Sequence, residues 1–177
     1  QLGFLKRSLP QTPIIALTAT ADKATRQDIL EQLNIPNAQQ FLSSFDRKNI
    51  KLEVRPAENR VKQILDFVEK RREESGIIYC LSRKGTEKLA EKLQHKGIKA
   101  TAYHAGLSFE DRSKVQEDFI FDKTKVVCAT VAFGMGIDKS NVRFVIHYNM
   151  PKNIEGYYQE IGRAGRDGLA SNALLFH

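Results

Sequence analysis

The stretch GIIYCLSRKGTEKLAEKLQHKGIKATAY, residues 76–103, reads as strand, helix, strand. GIIYC (76–80) is a short apolar run, the mark of a buried strand. Thr86, Leu89, Ala90 and Leu93 then recur at helical spacing, and the dipeptide Lys96–Gly97 is a helix-ending signal. ATAY (100–103) is a second strand. The same alternation continues on both sides. IKLEV (50–54) alternates as a strand, and Val61, Ile64, Leu65 and Val68 mark a helix over about 58–72. Ser108 and Asp111 open a helix in S-x-x-D style, with Val115 and Phe119 on its buried side. VVCAT (126–130), FVIHY (144–148) and ALLF (173–176) are further strands, and a helix over 153–161 precedes the last. Apolar strands separated by helices predict an α/β domain, with a mostly parallel β-sheet flanked by helices on both faces.

Residues 1–40 read differently. PIIALTAT (13–20) predicts a buried strand running into a loop, and Asp22 is placed to cap a helix reaching about Leu33. A polar connector, SSFDRKN, follows at 43–49. The chain starts mid-phrase at Gln1, which fits a piece cut from a longer protein.

Bulk composition narrows the partners. The chain has 177 residues, 41% hydrophobic and 28% charged, and carries a formal net charge of +7. That is a globular domain with a basic surface, which favours polyanions such as nucleic acid. No secretory leader pattern opens the chain and no apolar run reaches membrane-spanning length. Cys80 and Cys128 lie inside strands without CxxC spacing, so they read as two buried free thiols in a reducing compartment.

In parallel sheets, ligands collect beyond the carboxyl ends of the strands. Three segments fall there: LSR (81–83), HAGLS (104–108) and TVAFGMGIDKSN (130–141). They are rich in hydroxyls, glycines and helix-start amides, which suit phosphates. A fourth, QEIGRAGRDG (159–168), sets Arg163 and Arg166 among three glycines and places Asp167 to steady one of them. Each feature also has a plain use. Ser82 and Ser108 fit helix caps, His104 a loop histidine, Met135 core filler and Asp138 a turn acid. The two arginines suit the end of a helix dipole. No GxxxxGK[ST] occurs, nor any DEAD or DEAH acid pair, so any nucleoside triphosphate would be touched from one side only.

Taken in order, the segments resemble the RecQ family of ATP-dependent DNA helicases, within helicase superfamily 2. ALTATA (16–21) looks like motif III, GIIYCLSR like motif IV and YHAGL (103–107) like the element after it. VVCATVAFGMGIDKSNVRFVIHY looks like motif V and YYQEIGRAGRDG like motif VI. DEAD-box RNA helicases are similar but usually carry SAT and HRIGR where this chain has TAT and QEIGR.

The resemblance implies a RecA-like architecture: residues 1–40 the tail of a first lobe, 41–49 the inter-lobe connector and 50–177 the second lobe. It implies ATP and Mg²⁺ held mainly by a first lobe in cis, and zinc only in a domain beyond this chain. Arg166 is implied as the arginine finger, with Arg163 as the second candidate. Gln159, Asp138, Gly134 and Gly136 are implied at the nucleotide. Ser82, Arg83, His104, Ala105, Gly106 and Thr130 would grip the nucleic-acid backbone, and Thr18 and Thr20 would couple the two sites. Both guanidiniums are expected to stand open to solvent. The implied activity is 3′ to 5′ translocation on single-stranded DNA and unwinding of forked duplexes in recombination and repair. The setting would be cytoplasmic in a bacterium or nuclear in a eukaryote. Two alternatives stand beside it: a nucleic-acid-binding module without activity as isolated, and an RNA helicase or translocase of the same superfamily.

Overall fold

A computed structural model describes residues 2–18, 21–42, 46–130, 133–134 and 137–177. It divides into two compact units, 1–46 and 47–177. The boundary lies inside the expected connector. Residues 47–49 belong to the second unit because Arg47 and Asn49 are stitched to it. The Arg47 guanidinium donates to the carbonyls of Ala164 and Gly165, at 3.1 and 2.8 Å. The Asn49 amide donates to those of Gly165 and Leu169, at 2.8 and 3.0 Å.

The first unit holds two helices, α1 (Phe4–Ser8) and α2 (Lys23–Gln32). Asp22 caps α2 as expected, its carboxylate accepting the Thr25 N–H at 2.7 Å. The strand expected over 13–20 is not formed among its described residues, 13–18, and Ile15 and Leu17 stand exposed. A strand needs a neighbour to take its backbone hydrogen bonds, and no described residue supplies one. Thr18 is exposed in this segment; Thr20 lies outside the described residues.

The second unit is one six-stranded sheet, in which every pairing is parallel. Its strands are β1 (Ile50–Arg55), β2 (Ser75–Tyr79), β3 (Ala100–Tyr103), β4 (Val126–Ala129), β5 (Val142–His147) and β6 (Ser171–Phe176). Their spatial order is β1-β6-β5-β2-β4-β3. The helices are α3 (Arg60–Glu69), α4 (Arg83–His95), α5 (Phe109–Ile120) and α6 (Ile154–Ile161). Alternation along β2 shows why both faces need cover. Ile78 packs with Phe67 of α3 and Leu93 of α4, whereas Ile77 and Tyr79 pack with Phe119 of α5 and Ile161 of α6. Leu93 is wholly buried, a burial worth about 1.5–3 kcal/mol. The sheet with helices on both faces is therefore the one the sequence pattern predicts. Among the described residues no helix is long and apolar enough to cross a membrane.

One stretch departs from its expected place. Among the described residues of segment 130–141, Thr130 alone stays at the carboxyl rim. The segment then descends past the sheet face, burying Phe133 and Ile137 against it. Near its end Lys139 is buried, its ammonium 3.2 Å from the Asp122 carboxylate, which also accepts from Ser75 at the start of β2. Asp138 therefore lies near the amino edge, because the apolar pair 133 and 137 pulls the chain across the sheet.

Candidate functional site

The segment after α6 lies alongside this descending chain. The Gly165 N–H donates to the Val142 carbonyl at 2.8 Å and the Asp167 N–H to that of Ser140 at 3.3 Å. Arg163 and Arg166 are three residues apart, and so are the carbonyls they hold. Arg163 Nη1 donates to Gly134 and Arg166 Nη1 to Ile137, the second at 3.1 Å. Arg166 also lies 3.7 Å from the Asp138 carboxylate. The structure thus brings together Gly134 with Arg163, and Asp138 with Arg166. Gly136 lies outside the described residues.

The two guanidiniums differ in access. The Arg166 side chain is 38% exposed and Asp138 98%. Arg163 is only half-buried, and its Nε is shut from solvent with no partner among the described residues. The expectation that both would stand open therefore holds for Arg166 alone. Arg163 is drawn in because Gly134 leaves room for it. Gly134 has φ +111, and a side chain there would occupy the guanidinium's place. Gly165 likewise clears protein groups: a β-carbon would come within 2.7 Å of Ser171 Oγ. At both glycines the space that a side chain would fill is taken by groups of the same unit.

Asp167 does not steady either arginine. Its two oxygens share one nitrogen of Arg143, Nη2, at 2.6 and 2.7 Å, a charge-assisted pair. That bond holds the Asp167 carboxyl below its ordinary value of 3.8. Tyr79 stands beside Arg163, with its hydroxyl donating to the Phe133 carbonyl at 3.2 Å. Burial pushes this phenol well up, against the opposing charge of Arg163. Gln159 is exposed on α6.

The rim carries the other candidates. Ser82 caps α4, its hydroxyl accepting the Gly85 N–H at 3.1 Å. Arg83 is exposed and its guanidinium lies over Gly106. His104 is buried, against its reading as a free loop residue. Its Nδ1 accepts the Gly106 N–H at 3.2 Å, so Nε2 carries the proton donated to Glu87 at 3.0 Å. It shapes the 104–106 turn from within. Ala105 is exposed and Thr130 half-buried beside this turn, where the Thr130 N–H donates to the Tyr103 carbonyl. Arg83, His104 and Gly106 form one contact group; Ser82 is capped at its own helix.

Sequence reasoning missed one buried pair. His147, the last residue of β5, and Glu160, near the end of α6, are 2.6 Å apart and almost fully enclosed. The available signal was a charged residue on the apolar side of α6, between Tyr157 and Ile161.

The parallel sheet with helices on both faces is the architecture of RecA-like helicase C-terminal domains. The chain belongs to the helicase conserved C-terminal domain family, which it matches over residues 58–168. Over 177 residues it is 54% identical to the ATP-dependent DNA helicase RecQ of Haemophilus influenzae, covering all of this chain and 29% of that protein. Among solved structures, it is similar to Saccharomyces cerevisiae Dbp5 bound to RNA and ADP BeF3. That likeness has a TM-score of 0.75 at 25% identity and covers 99% of this chain and 48% of the other. It is also similar to Mycobacterium smegmatis helicase Lhr bound to ssDNA and AMP-PNP, with a TM-score of 0.62 at 27% identity over 72% of this chain and 19% of the other. The chain thus spans under a third of the length of its RecQ relative, and its fold is the RecA-like fold of helicase C-terminal domains.

Proposed function

We propose that the chain is the second motor lobe of an ATP-dependent DNA helicase, with residues 1–40 the tail of the first lobe and 41–49 the connector. The observation that carries this is the paired docking of Arg163 and Arg166 on the Gly134 and Ile137 carbonyls. It aligns two permanent cations along one edge and leaves Arg166 accessible. A guanidinium offers a planar fork of donors at any working pH, suited to phosphoryl oxygens. Arg166 leaves a weak 3.7 Å ion pair and one carbonyl bond to stabilise charge spreading over the γ-phosphate. Arg163 holds the segment and offers the second cation, Gln159 orients from α6, and Asp138 takes the ribose. Gly134 and Gly136 shape the loop that faces the nucleotide.

ATP is the substrate here, held mainly by the first lobe. Among the described residues no group of three or more His, Cys, Asp or Glu could hold a metal ion. Mg²⁺ would be held mainly by the first lobe together with ATP, and zinc only by a domain beyond this chain.

The rim group, Ser82, Arg83, His104 to Gly106 and Thr130, would hold a strand by its phosphates, with hydroxyls and amides that position without reading sequence. Thr18 and Thr20 would link that grip to the nucleotide. Translocation would be 3′ to 5′ on single-stranded DNA, with unwinding of forks in recombination and repair, in a bacterial cytoplasm or a eukaryotic nucleus. DNA is preferred because the 54%-identical relative is named a DNA helicase. The RNA reading has the RNA-bound Dbp5 likeness in its favour.

The test is strand separation by the longer protein on matched DNA and RNA forks. ATP-dependent opening of the DNA fork from a 3′ tail is expected. Opening of RNA alone would transfer the reading to RNA. The isolated chain is expected to bind single strands and not to turn over ATP; turnover by residues 1–177 alone would overturn the two-lobe account.

A further inference from the structure

Glu160 joins the end of β5 to the segment that carries Arg163. Its carboxylate is 2.6 Å from His147 Nε2, and its carbonyl accepts the Arg163 N–H at 3.2 Å. His147 stacks on Tyr79, ring centroids 5.4 Å apart and planes 26° apart. Tyr79 holds the Phe133 carbonyl, and the next carbonyl along, Gly134, takes the Arg163 guanidinium. The path from Arg163 through Gly134, Phe133, Tyr79, His147 and Glu160 therefore returns to Arg163. Both ends of the arginine, backbone and guanidinium, are held by one closed circuit.

A buried ionisable pair is a poor way to add stability, because apolar residues of similar volume often serve as well. What a short hydrogen bond adds is direction. The helix α6 has only eight residues, and a hydrogen bond of defined direction adds an angular restraint to its apolar contacts. A roll of a few tens of degrees would swing Arg163 off the Gly134 carbonyl. We propose that His147 and Glu160 are positioning residues, which set the angle of α6 and so aim Arg163. This rests on the reading of Arg163 as a phosphate-facing cation, and it deepens that reading.

Two measurements test it. The first needs only the chain and no assumption about ATP. In labelled protein, the Arg163 Nε–H proton is buried and should exchange slowly with solvent. His147→Ala and Glu160→Leu should speed that exchange roughly tenfold or more, the scale of a lost charge-assisted bond. Arg166 and the amides of β2 and β5 should keep their rates within about twofold. His147→Gln, which can still present a donor, should restore most of the protection. Unchanged Arg163 exchange would overturn the proposal. So would a rise shared equally by the strand amides, since that reports general loosening. Glu160→Leu keeps roughly the size of the side chain and adds no buried charge, so the test survives if His147→Ala does not fold.

The second measurement uses the longer protein. Glu160→Leu should lower kcat for ATP with little change in KM, and adding it to Arg163→Ala should cause no further loss. Full additivity would overturn the positioning role. If the exchange results hold but Arg163→Ala leaves turnover intact, then the positioning stands and the phosphate-facing role of Arg163 fails.

Discussion

Arg163 and Gly134 occupy each other's space: the guanidinium fills the place where any side chain at 134 would stand, and it binds the Gly134 carbonyl. Gly134→Ala therefore meets two obstacles. The backbone at φ +111 is strained for any L side chain, at about 1–3 kcal/mol, and the added methyl expels Arg163. Chemical denaturation of the chain should show a loss of that size. In the longer protein, ATP turnover should fall to the level of Arg163→Ala.

Asp167 makes an acid-sensitive brace. Its pKa is lowered, chiefly by the bond from Arg143, so its contribution is fully present above the ordinary value near 3.8 and is lost as pH falls through the lowered one. Asp167→Asn should be less stable than the parent at neutral pH. The gap should close as pH drops below about 4, as read by denaturation midpoints across pH. A gap that stays constant would show that the ion pair contributes nothing.

The two thiols should be silent in the native protein. Burial pushes Cys80 up to about 12 and Cys128 well above its usual range, so neither forms thiolate near neutral pH. A thiol-reactive chromophore at pH 8 should label neither until denaturant is added, and then both.

The rim grip has an ionic signature. Binding of single-stranded DNA to the chain should fall steeply with salt, and Arg83→Ala should reduce the slope of log K against log salt by about 0.7, the loss of one phosphate contact. Arg72→Ala, in an exposed pair with Glu69 between α3 and β2, should leave the slope unchanged.

Much of this was legible in the chain, for physical reasons. Strand and helix periods in 76–103 specify the parallel sheet, because both faces must be covered. Caps at Asp22, Ser82 and Ser108 are local chemistry and appear as expected. The rest depends on contacts distant in sequence. Asp167 meets Arg143 across 24 residues, and no local rule pairs them. His104 turns inward onto Glu87 of α4, 17 residues back in the chain. The apolar run at 13–18 has strand composition and no strand, since composition supplies no hydrogen-bond neighbour. Segment 130–141 misled because, of its described residues, only the first remains at the rim, whereas Phe133 and Ile137 are buried against the sheet face.

The central claim is that Arg166 acts on the transferring phosphoryl group rather than on binding. It is tested most directly by Arg166→Ala in the longer protein, with nucleotide affinity and nucleic-acid-stimulated turnover measured side by side. The account predicts a fall in kcat of about 10³-fold or more, with nucleotide Kd within about threefold of the parent. Equal losses in affinity and turnover would contradict it and make Arg166 a binding residue.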